Sequence, residues 1–464
     1  MALLVMKFGG SLTADARKLA RVAGVIAAEA LAWDQIVVVV SAMGGVTDAF
    51  RRAVESAEAG HSGGSGYRRI VALIREKHIT LLDTLIADLG VRQRLITLLD
   101  HHLYEVLSLC DRIARERGAT ARDRDRVMAV GEQVMAAILT ALVRVEGLTA
   151  VTVDAESVII TDEVYQNANP LIDLIEERAE AILRPLLEAK ITPILPGFVG
   201  ATRRGVITTL GRGGSDYTAT LLAAALRADE VWLWTHVDGI MSTDPAIVPG
   251  ARVIPLLSYG EVEELAYFGT RLLHPDAIEP LAPRGIPLRV RNPDNLDHAG
   301  TLIQAEAQDT GVALKAVTAV DGLAMTLNGQ PLDLAAFLVQ IHHTVGQAAR
   351  GPVIVLHSHH HTTLTFVVPT SEGPDAAGRV AATLRGALPK WEIAVVKVIA
   401  AFGSGTVGSA PISVPVLSAA RGMGGRRLFA VEPIHMKDAV RQLHKLTESS
   451  TIPMLRQIFP EIKR

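Results

Sequence analysis

Residues 2–11, ALLVMKFGGS, join an apolar run to a turn that contains two adjacent glycines. The run has no proline and predicts a buried strand, and residues 14–32 predict a helix directly after the turn. A glycine turn at a helix N-terminus presents backbone N–H groups to an anion, which suits a phosphate. The alternative is that the two glycines form only a tight turn, which needs residues that adopt positive φ. Lys7 adds a mobile cation for a transferring phosphoryl group, so the stretch predicts an α/β fold with a phosphate site.

The first three hundred residues alternate between strand-like and helix-like patterns. Apolar runs predict strands at residues 36–41, 150–153, 191–196, 230–234 and 286–290. Between them, helical spacing occurs at residues 70–89, 123–145, 171–189 and 216–228. Runs that are apolar at every position are typical of strands covered on both faces. Residues 1–304 therefore predict a three-layer αβα domain with a mainly parallel sheet.

The pattern changes after a predicted linker at residues 305–310. Residues 313–394 predict a small βαββαβ unit, with strands at 322–327, 353–358, 363–368 and 391–396 and helices at 332–349 and 375–388. Residues 395–464 predict a second unit, with strands at 396–402 and 427–431 and helices near 414–421 and 436–448. Because one strand has almost no room between residues 421 and 427, the second unit is a degenerate repeat of the first.

Composition limits the classes of function. The chain has 464 residues, 49% hydrophobic residues and a formal net charge of −3, which gives no reason to expect nucleic acid or a membrane surface as a partner. Cys110 is the one cysteine, so an intramolecular disulfide and a thiol zinc site are excluded, and a reducing cytoplasm is expected. No uncharged run approaches the roughly 20 residues that span a bilayer.

Residues 211–216, GRGGSD, concentrate flexible backbone, a cation, a hydroxyl and a carboxylate before an Ala/Leu-rich helix. Arg212 can bind a carboxylate with two parallel hydrogen bonds. Asp216 can lie beside a transferring phosphate, where it orients Lys7 or accepts a proton. A plain N-terminal helix cap is the alternative for Asp216.

Three further residues are candidate substrate contacts. Ser41 and Thr47 follow the strand at residues 36–41, and ligands of open α/β sheets bind at the carboxyl ends of strands. Glu132 lies in an otherwise apolar helical stretch, where a carboxylate meets a cationic partner or a substrate amine. The alternative for Ser41 and Thr47 is a helix cap after the strand, and the alternative for Glu132 is a solvated helix face.

Two polar segments have competing interpretations. Residues 235–246, THVDGIMSTDPA, follow a strand and suit the wrapping of a nucleotide, but a surface turn has the same composition. His357, His359, His360 and His361 suggest a metal, but no carboxylate or cysteine lies nearby, so we expect an exposed strand end and no metal site in the protein.

Together, these motifs resemble those of aspartate kinases. The matching blocks are KFGGS from Lys7, VVVVSAMGGVTD from Val37, GE from Gly131, PGFVGAT from Pro196, TTLGRGGSDYTA from Thr208, VDGI and TDP around Asp238 and Asp244, ELAYFGTRLLHPDAIEP from Glu264 and GIPLRVRN from Gly285. The blocks fall in order across about three hundred residues. The resemblance implies the amino acid kinase fold followed by two tandem ACT-like domains. It also implies phosphoryl transfer from ATP to the side-chain carboxylate of L-aspartate, the first step toward lysine, threonine and methionine.

The resemblance also implies roles for single residues. Lys7 and Asp216 are expected to be catalytic. The implied aspartate site consists of Ser41, Thr47, Glu132, Phe198, Arg212 and Ser215. The implied nucleotide site consists of Lys7, Gly9, Gly10, Ser11, Thr235, His236, Met241, Asp244 and Arg271. Mg²⁺ is expected to be held mainly through the phosphates of ATP. A lysine or threonine effector at the ACT-like domains and a homodimer or higher homo-oligomer are implied as well.

The chain departs from the family pattern on the nucleotide side, at His236, Met241, Ala246 and Arg271, which predicts weak ATP binding. Two alternatives to an aspartate kinase remain at this stage. One is a kinase of the same fold for another amino-acid carboxylate. The other is a catalytically weakened regulatory subunit that binds an amino acid, although such a protein has no physical need for charged groups that converge on an apolar sheet edge.

Overall fold

The computed structural model describes residues 1–60, 65–269, 275–306, 314–328, 334–346, 352–357, 361–368, 375–403, 412–421 and 426–450. The chain divides into two compact units. The first unit comprises Met1–Gly239 and Leu273–Ala305, and the second comprises Ile240–Leu272 and Glu306–Arg464. The predicted linker and the predicted histidine cluster lie largely outside the described residues.

Strands and helices are numbered in chain order. The strands are β1 Leu3–Phe8, β2 Gln35–Val40, β3 Ala150–Thr152, β4 Ile160–Thr161, β5 Thr192–Pro196, β6 Val199–Thr202, β7 Ile207–Thr209, β8 Glu230–Trp234, β9 Leu256–Ser258, β10 Leu288–Arg291, β11 Thr301–Gln304, β12 Ala316–Asn328, β13 Pro352–His357, β14 His361–Val367, β15 Glu392–Phe402, β16 Ser418–Arg421 and β17 Arg427–Val431. The α-helices are α1 Ala16–Glu29, α2 Val46–Glu58, α3 Ser65–Leu85, α4 Leu89–Glu116, α5 Ala121–Val145, α6 Ile172–Glu188, α7 Gly214–Leu226, α8 Tyr259–Tyr267, α9 Leu334–Val345, α10 Ala376–Ala387 and α11 Met436–His444.

The main sheet of the first unit has the order β3-β5-β2-β1-β8-β10-β11. Every neighbouring pair from β3 to β10 is parallel, and only β10 and β11 run antiparallel. All six residues of β2 are buried, as expected for a strand covered on both faces. A smaller sheet has the order β4-β6-β7. The predicted α/β fold with a mainly parallel sheet is therefore confirmed.

Successive side chains of β1 point to opposite faces of the sheet, which are covered by different helices. Leu4, Met6 and Phe8 belong to a buried apolar cluster that also contains residues of α1 and α5. Successive side chains of a strand point to opposite faces, so Lys7 points to the other face. Helix α7 contacts β1, β2 and β8. Lys7 therefore emerges at the carboxyl end of β1 on the face that α7 covers.

Helix α5 is the central helix of the first unit. By length and composition alone it could cross a membrane, but 78% of its most apolar window is buried in the protein. Thr120 and Asp123 form a capping box at its N-terminus. This helix is therefore a core element, and it carries Glu132 inside the unit.

The second unit contains an antiparallel sheet of order β13-β14-β12-β15-β17-β16. The order β12-α9-β13-β14-α10-β15 confirms the predicted βαββαβ pattern. One apolar core packs around α9 and α10, and another packs around α11. The predicted boundary at residues 394 and 395 falls inside β15, which pairs with β12 from Thr326 and Glu392 to Ala316 and Phe402. The two predicted ACT-like units therefore share one continuous sheet.

The predicted helix near residues 414–421 is wrong. Ser418–Arg421 forms β16, which pairs with β17 from Ser418 and Ala430 to Arg421 and Arg427. Val414 and Val416 are β-branched and favour extended backbone, and the pairing with β17 decides the conformation of the segment that follows them. The strand missing from the predicted second unit therefore lies where the helix was expected.

Residues 240–272 group with the second unit, although the sequence predicts them in the kinase domain. Val317 donates its backbone N–H to Ser242 O at 2.8 Å. Lys315 Nζ lies 2.6 Å from Glu261 Oε1. Ser242 Oγ lies 2.8 Å from the buried His444 Nε2. These contacts join residues far apart in sequence and explain why residues 240–272 group with the second unit, while the kinase domain of residues 1–304 stays a prediction.

The close packing at Gly322 leaves no room for a side chain in the sheet of the second unit. A Cβ at Gly322 would lie 2.6 Å from Phe366 O and 2.7 Å from Val398 Cγ2. The backbone oxygen cannot move without disturbing β14, so we expect Gly322→Ala to lower the free energy of unfolding by about 1–3 kcal/mol. Gly386→Ala is the matched control, because this exposed site in α10 has no atom within 4 Å of the new Cβ. Denaturant unfolding that leaves Gly322→Ala as stable as Gly386→Ala would contradict the packing described.

Candidate active site

Lys7 and Asp216 form the polar centre of the first unit. Lys7 Nζ lies 2.5 Å from Asp216 Oδ1, and the two side chains are 12% and 14% exposed. Asp216 lies in the first turn of α7, but the N-cap of that helix is Gly213, with φ 74°. The alternative of a plain helix cap for Asp216 is therefore wrong. The helix instead places the carboxylate on the strand-terminal lysine.

Two glycine turns approach each other at the carboxyl ends of β1 and β2. A Cβ at Gly44 would lie 2.9 Å from Gly10 O, and a Cβ at Gly10 would lie 3.1 Å from Ala42 O. Thr13 Oγ1 donates a hydrogen bond to Ala42 O at 2.8 Å and lies 3.1 Å from Gly10 O. Ser11 is exposed in the first turn, whereas Thr13 is buried. Thr13 was not predicted from the sequence, and its hydroxyl joins the predicted phosphate turn to the turn after β2.

A cavity of about 580 Å³ opens beside the Lys7–Asp216 pair. Every residue predicted to be catalytic or to contact aspartate lines it: Lys7, Ser41, Thr47, Glu132, Phe198, Arg212, Ser215 and Asp216. Further lining residues were not predicted from the sequence: Asp48, Arg51, Val54, Arg124, Asp125, Met128, Gln166 and Thr209. Side chains from two strands, three helices and four loops thus meet around one space that is large enough for a small, charged molecule.

Glu132 is a buried carboxyl group in the cavity wall. Its residue is 4% exposed, so the alternative of a solvated helix face is wrong. Oε2 has no hydrogen-bond partner among the described residues. Burial raises the pKa of Glu132 to about 8, although a hydrogen bond from the backbone of Ala42 lowers it in part. A carboxyl group in this state gains most from a cation that enters the cavity.

Gly131 allows Glu132 to reach the cavity. A Cβ at Gly131 would lie 2.8 Å from Ala42 Cβ and 3.3 Å from Val46 Cγ1. Only a residue without a side chain lets α5 pack this close to the turn that follows β2. The Gly131-Glu132 pair thus combines close helix packing with a carboxyl group directed at the site.

The loop before α7 is shaped by left-handed backbone and close packing. Gly211 and Gly213 both have φ 74°, and the non-glycine Phe198 has φ 68°. A Cβ at Gly197 would lie 2.6 Å from Ser215 Cβ. Phe198 donates its backbone N–H to Thr218 Oγ1 at 3.0 Å. These contacts hold Ser215 and Asp216 at the cavity, while Arg212 lies at its exposed side.

The residues predicted to contact the nucleotide are divided between the units. Thr235 and His236 follow β8, whose Trp234 pairs with Phe8 of β1, so they belong to the same sheet edge as Lys7. Met241 and Asp244 belong to the second unit. Asp244 Oδ1 accepts a hydrogen bond from the backbone of Ala246 at 2.9 Å in a local turn. Arg271 lies outside the described residues.

Among the residues that the structure describes, no group of three His, Cys, Asp or Glu side chains could hold a metal ion. Cys110 is buried, and burial raises the pKa of its thiol to about 11. It is a small apolar group in the packing of α4.

Comparison with known proteins identifies relatives of this architecture. The model of the amino acid kinase family matches residues 2–292. Aspartokinase 2, chloroplastic, of Arabidopsis thaliana is 34% identical over 340 residues, which are 70% of this chain and 60% of that protein. Lysine-sensitive aspartokinase 3 of Escherichia coli is 32% identical over 301 residues, which are 65% of this chain and 64% of that protein. The chain thus spans about 60% of the length of these curated relatives.

The solved structures of E. coli aspartokinase III extend the similarity to both units. The complex of that protein with aspartate and ADP superposes with a TM-score of 0.76 at 25% identity, covering 96% of this chain and 99% of the other. The complex with lysine and aspartate gives a TM-score of 0.78 at 25% identity, covering 96% of this chain and 100% of the other. The family match covers more than half of the chain and includes every element that builds the cavity. The chain belongs to the amino acid kinase family and, within it, resembles the aspartokinases.

Proposed function

We propose that the protein is an aspartate kinase, which transfers the γ-phosphoryl group of ATP to the side-chain carboxylate of L-aspartate. One observation carries the proposal. The cavity beside the Lys7–Asp216 pair is lined both by the buried carboxyl group of Glu132, whose Oε2 has no hydrogen-bond partner among the described residues, and by the cation of Arg212. L-Aspartate carries one ammonium and two carboxylates, so its charges complement this set. The similar E. coli aspartokinase III binds aspartate and ADP, which supports the assignment.

The amino-acid side of the site follows from charge and shape. Arg212 would bind the α-carboxylate, because a guanidinium forms two parallel hydrogen bonds with a carboxylate. Glu132 would bind the ammonium, which supplies the cation that its buried oxygen lacks. Ser41, Thr47 and Ser215 would donate hydroxyl hydrogen bonds. Phe198 would bound the space on one side.

The phosphate side consists of the turn after β1 and the side chain of Lys7. Gly9 and Gly10 would face the phosphates with their backbone N–H groups, and Lys7 Nζ lies beside this turn, 3.5 Å from the position of a Cβ at Gly9. Bound ATP supplies the phosphoryl group, and Mg²⁺ is expected to be held mainly by its phosphates. Thr235 and His236 at the neighbouring strand end remain proposed nucleotide contacts.

The chemical step needs no general base. The side-chain carboxylate of aspartate is ionised near pH 7 and is itself the nucleophile. An oxygen of that carboxylate forms a bond to the γ-phosphorus, while the bond from that phosphorus to the β,γ-bridging oxygen breaks and ADP departs. Lys7 neutralises negative charge on the transferring group, and Asp216 keeps the ammonium of Lys7 in place. The products are 4-phospho-L-aspartate and ADP.

The second unit supports a proposal about regulation. A lysine complex is known for the similar E. coli aspartokinase III, and the superposition covers 100% of the chain in that solved structure. We therefore expect lysine or threonine to bind the two ACT-like units, and we expect a homodimer or larger homo-oligomer in the cytoplasm. The reaction would be the first step toward lysine, threonine and methionine.

An ATP-dependent hydroxamate assay tests the proposed function. Hydroxylamine traps an acyl phosphate, so L-aspartate, L-glutamate and N-acetyl-L-glutamate are compared side by side at equal concentration. We expect hydroxamate with L-aspartate well above that with the other two acids. A larger signal with another acid would favour a kinase for that substrate, and no signal with any acid would contradict kinase activity.

Lys7→Ala should lower kcat by about a hundredfold or more and change the KM for aspartate only modestly, because Lys7 acts on the transferring group. Lys18→Ala is the matched control, since Lys18 lies exposed on α1 and pairs only weakly with Asp15 at 3.8 Å. Steady-state kinetics with both variants make the measurement. A near-normal kcat for Lys7→Ala would remove Lys7 from the mechanism.

The raised pKa of Glu132 should make the KM for aspartate depend on pH. The pKa of about 8 means that the group is mostly protonated in the free protein at pH 6, whereas an ammonium requires the ionised form. We therefore expect the KM for aspartate to fall roughly tenfold per pH unit from pH 6 towards 8. Glu132→Gln should raise that KM and remove this dependence. A flat profile for the wild-type protein would contradict the assignment.

The raised pKa of Glu132 should also make the free energy of unfolding depend on pH, which can be measured without an activity assay. The folded pKa of about 8 lies above the ordinary value of 4.5, so the folded protein holds a proton that the unfolded chain releases first. The contribution of Glu132 to the free energy of unfolding is therefore greatest below pH 4.5 and declines as the pH rises to 8. Glu132→Gln should remove this part of the decline, as measured by denaturant unfolding at several pH values.

A further inference from the structure

Asp125 is a buried carboxylate in the cavity wall that the proposed reaction does not use. It lies seven residues before Glu132 on α5, so about two helical turns place both side chains on the same face. Asp125 is 1% exposed and lines the same cavity. Burial raises the pKa of its carboxyl group, because hydrogen bonds to it offset only part of the desolvation.

Three hydrogen bonds account for both oxygens of this carboxylate. Oδ2 accepts the backbone N–H of Gln166 at 2.9 Å and that of Thr209 at 3.1 Å. Oδ1 accepts the hydroxyl of Thr209 at 2.8 Å. The partners are 41 and 84 residues away in sequence. All three donors are neutral, so these bonds are not part of an ion pair. They connect Asp125 to two separate segments of the chain.

The two segments that Asp125 holds border the loop that carries Arg212. Thr209 is the last residue of β7 and comes two residues before Gly211. Gln166 has φ 71°, a left-handed conformation that is unfavourable for a non-glycine residue and needs support from its surroundings. The next side chain, that of Asn167, occupies the space that a Cβ at Gly211 would need. The position of the Gly211–Arg212 loop thus depends on both segments.

We propose that Asp125 is a positioning residue, which fixes Gln166 and Thr209 around the Gly211–Arg212 loop as a hydrogen-bond acceptor and not through its charge. The proposal rests on the proposed role of Arg212 in binding the α-carboxylate of aspartate. A displacement of about 1 Å in such a group costs up to a hundredfold in rate, which gives the scale of the expected effect.

The distinction between acceptor and charge can be tested by two substitutions. Asp125→Asn removes the charge but keeps the bonds, because the amide oxygen can accept both N–H groups. The amide NH₂ can donate to Thr209, whose hydroxyl then acts as the acceptor. Asp125→Ala leaves two buried N–H groups without a partner, so the segments should separate or admit water.

The experiment compares the full-length wild-type protein with both variants. For Asp125→Ala we expect the KM for aspartate to rise roughly tenfold to a hundredfold and the KM for ATP to stay within about twofold. For Asp125→Asn we expect both constants to stay within about threefold of the wild type. Hydrogen exchange followed by mass spectrometry should be faster in peptides spanning residues 164–168 and 207–212 of Asp125→Ala, and unchanged in Asp125→Asn.

Asp123→Ala is the matched control. Asp123 is another buried carboxylate of α5, but it accepts hydrogen bonds from Thr120 in the helix cap and pairs with Arg112. This control should lower thermal stability without changing the KM for aspartate. If Asp125→Ala does not fold, Thr209→Val removes only the hydroxyl bond, and we expect a severalfold rise in the KM for aspartate.

Two results would overturn the inference. One is a loss of aspartate use in Asp125→Asn as large as that in Asp125→Ala, because the charge would then be required. The other is unchanged exchange in both peptides of folded Asp125→Ala, because the segments would not depend on Asp125. If the wild-type protein phosphorylates no aspartate, the proposed function fails, and the exchange measurement alone decides the role of Asp125.

Discussion

The ion pair between Lys7 and Asp216 is the contact on which the candidate site depends. It joins the carboxyl end of β1 to the first turn of α7, 209 positions later in the chain, across a separation of 2.5 Å. Both side chains are mostly buried, so loss of one partner would leave a poorly solvated charge. The alternation of β1 directs Lys7 to the face that α7 covers, while Leu4, Met6 and Phe8 form the core on the other face. The same strand thus supplies the fold's centre and the site's cation.

Close backbone packing brings the other groups to this pair. Without side chains at Gly131 and Gly197, α5 and the loop before α7 approach their neighbours to distances that a Cβ would forbid. Glu132 consequently reaches the cavity as a buried carboxyl group with a pKa of about 8. A site built this way holds a carboxyl group that burial keeps largely protonated, and this group gains most when a substrate ammonium enters the cavity. Because its pKa is raised, Glu132 lowers the free energy of unfolding as the pH rises from 4.5 to 8, and a destabilising group in a cavity is consistent with a functional role.

Local patterns were sufficient for strands β1, β2, β3, β5, β8 and β10 of the main sheet and for the motif residues, whereas β11 was not predicted. Glu230–Trp234 was predicted with the bounds that it has, and the predicted aspartate contacts all line one cavity. Contacts between distant residues were not accessible from these patterns. Thr13 and Asp125 act through partners 29 to 84 residues away, and nothing in their immediate sequence marks them. Helices α2 and α4 were not predicted, and β16 was mistaken for a helix because its partner strand decides its conformation.

The transfer of an isotope from substrate to phosphate tests the central claim most directly. L-Aspartate labelled with ¹⁸O in the side-chain carboxylate would be incubated with the protein, ATP, Mg²⁺ and hydroxylamine. Hydroxylamine attacks the acyl carbon of 4-phospho-L-aspartate, so the released phosphate retains the oxygen that attacked the γ-phosphorus. Attack by the substrate carboxylate predicts one ¹⁸O atom in each phosphate released with the hydroxamate, as read by mass spectrometry. Phosphate without ¹⁸O would show that water is the acceptor and would contradict the account.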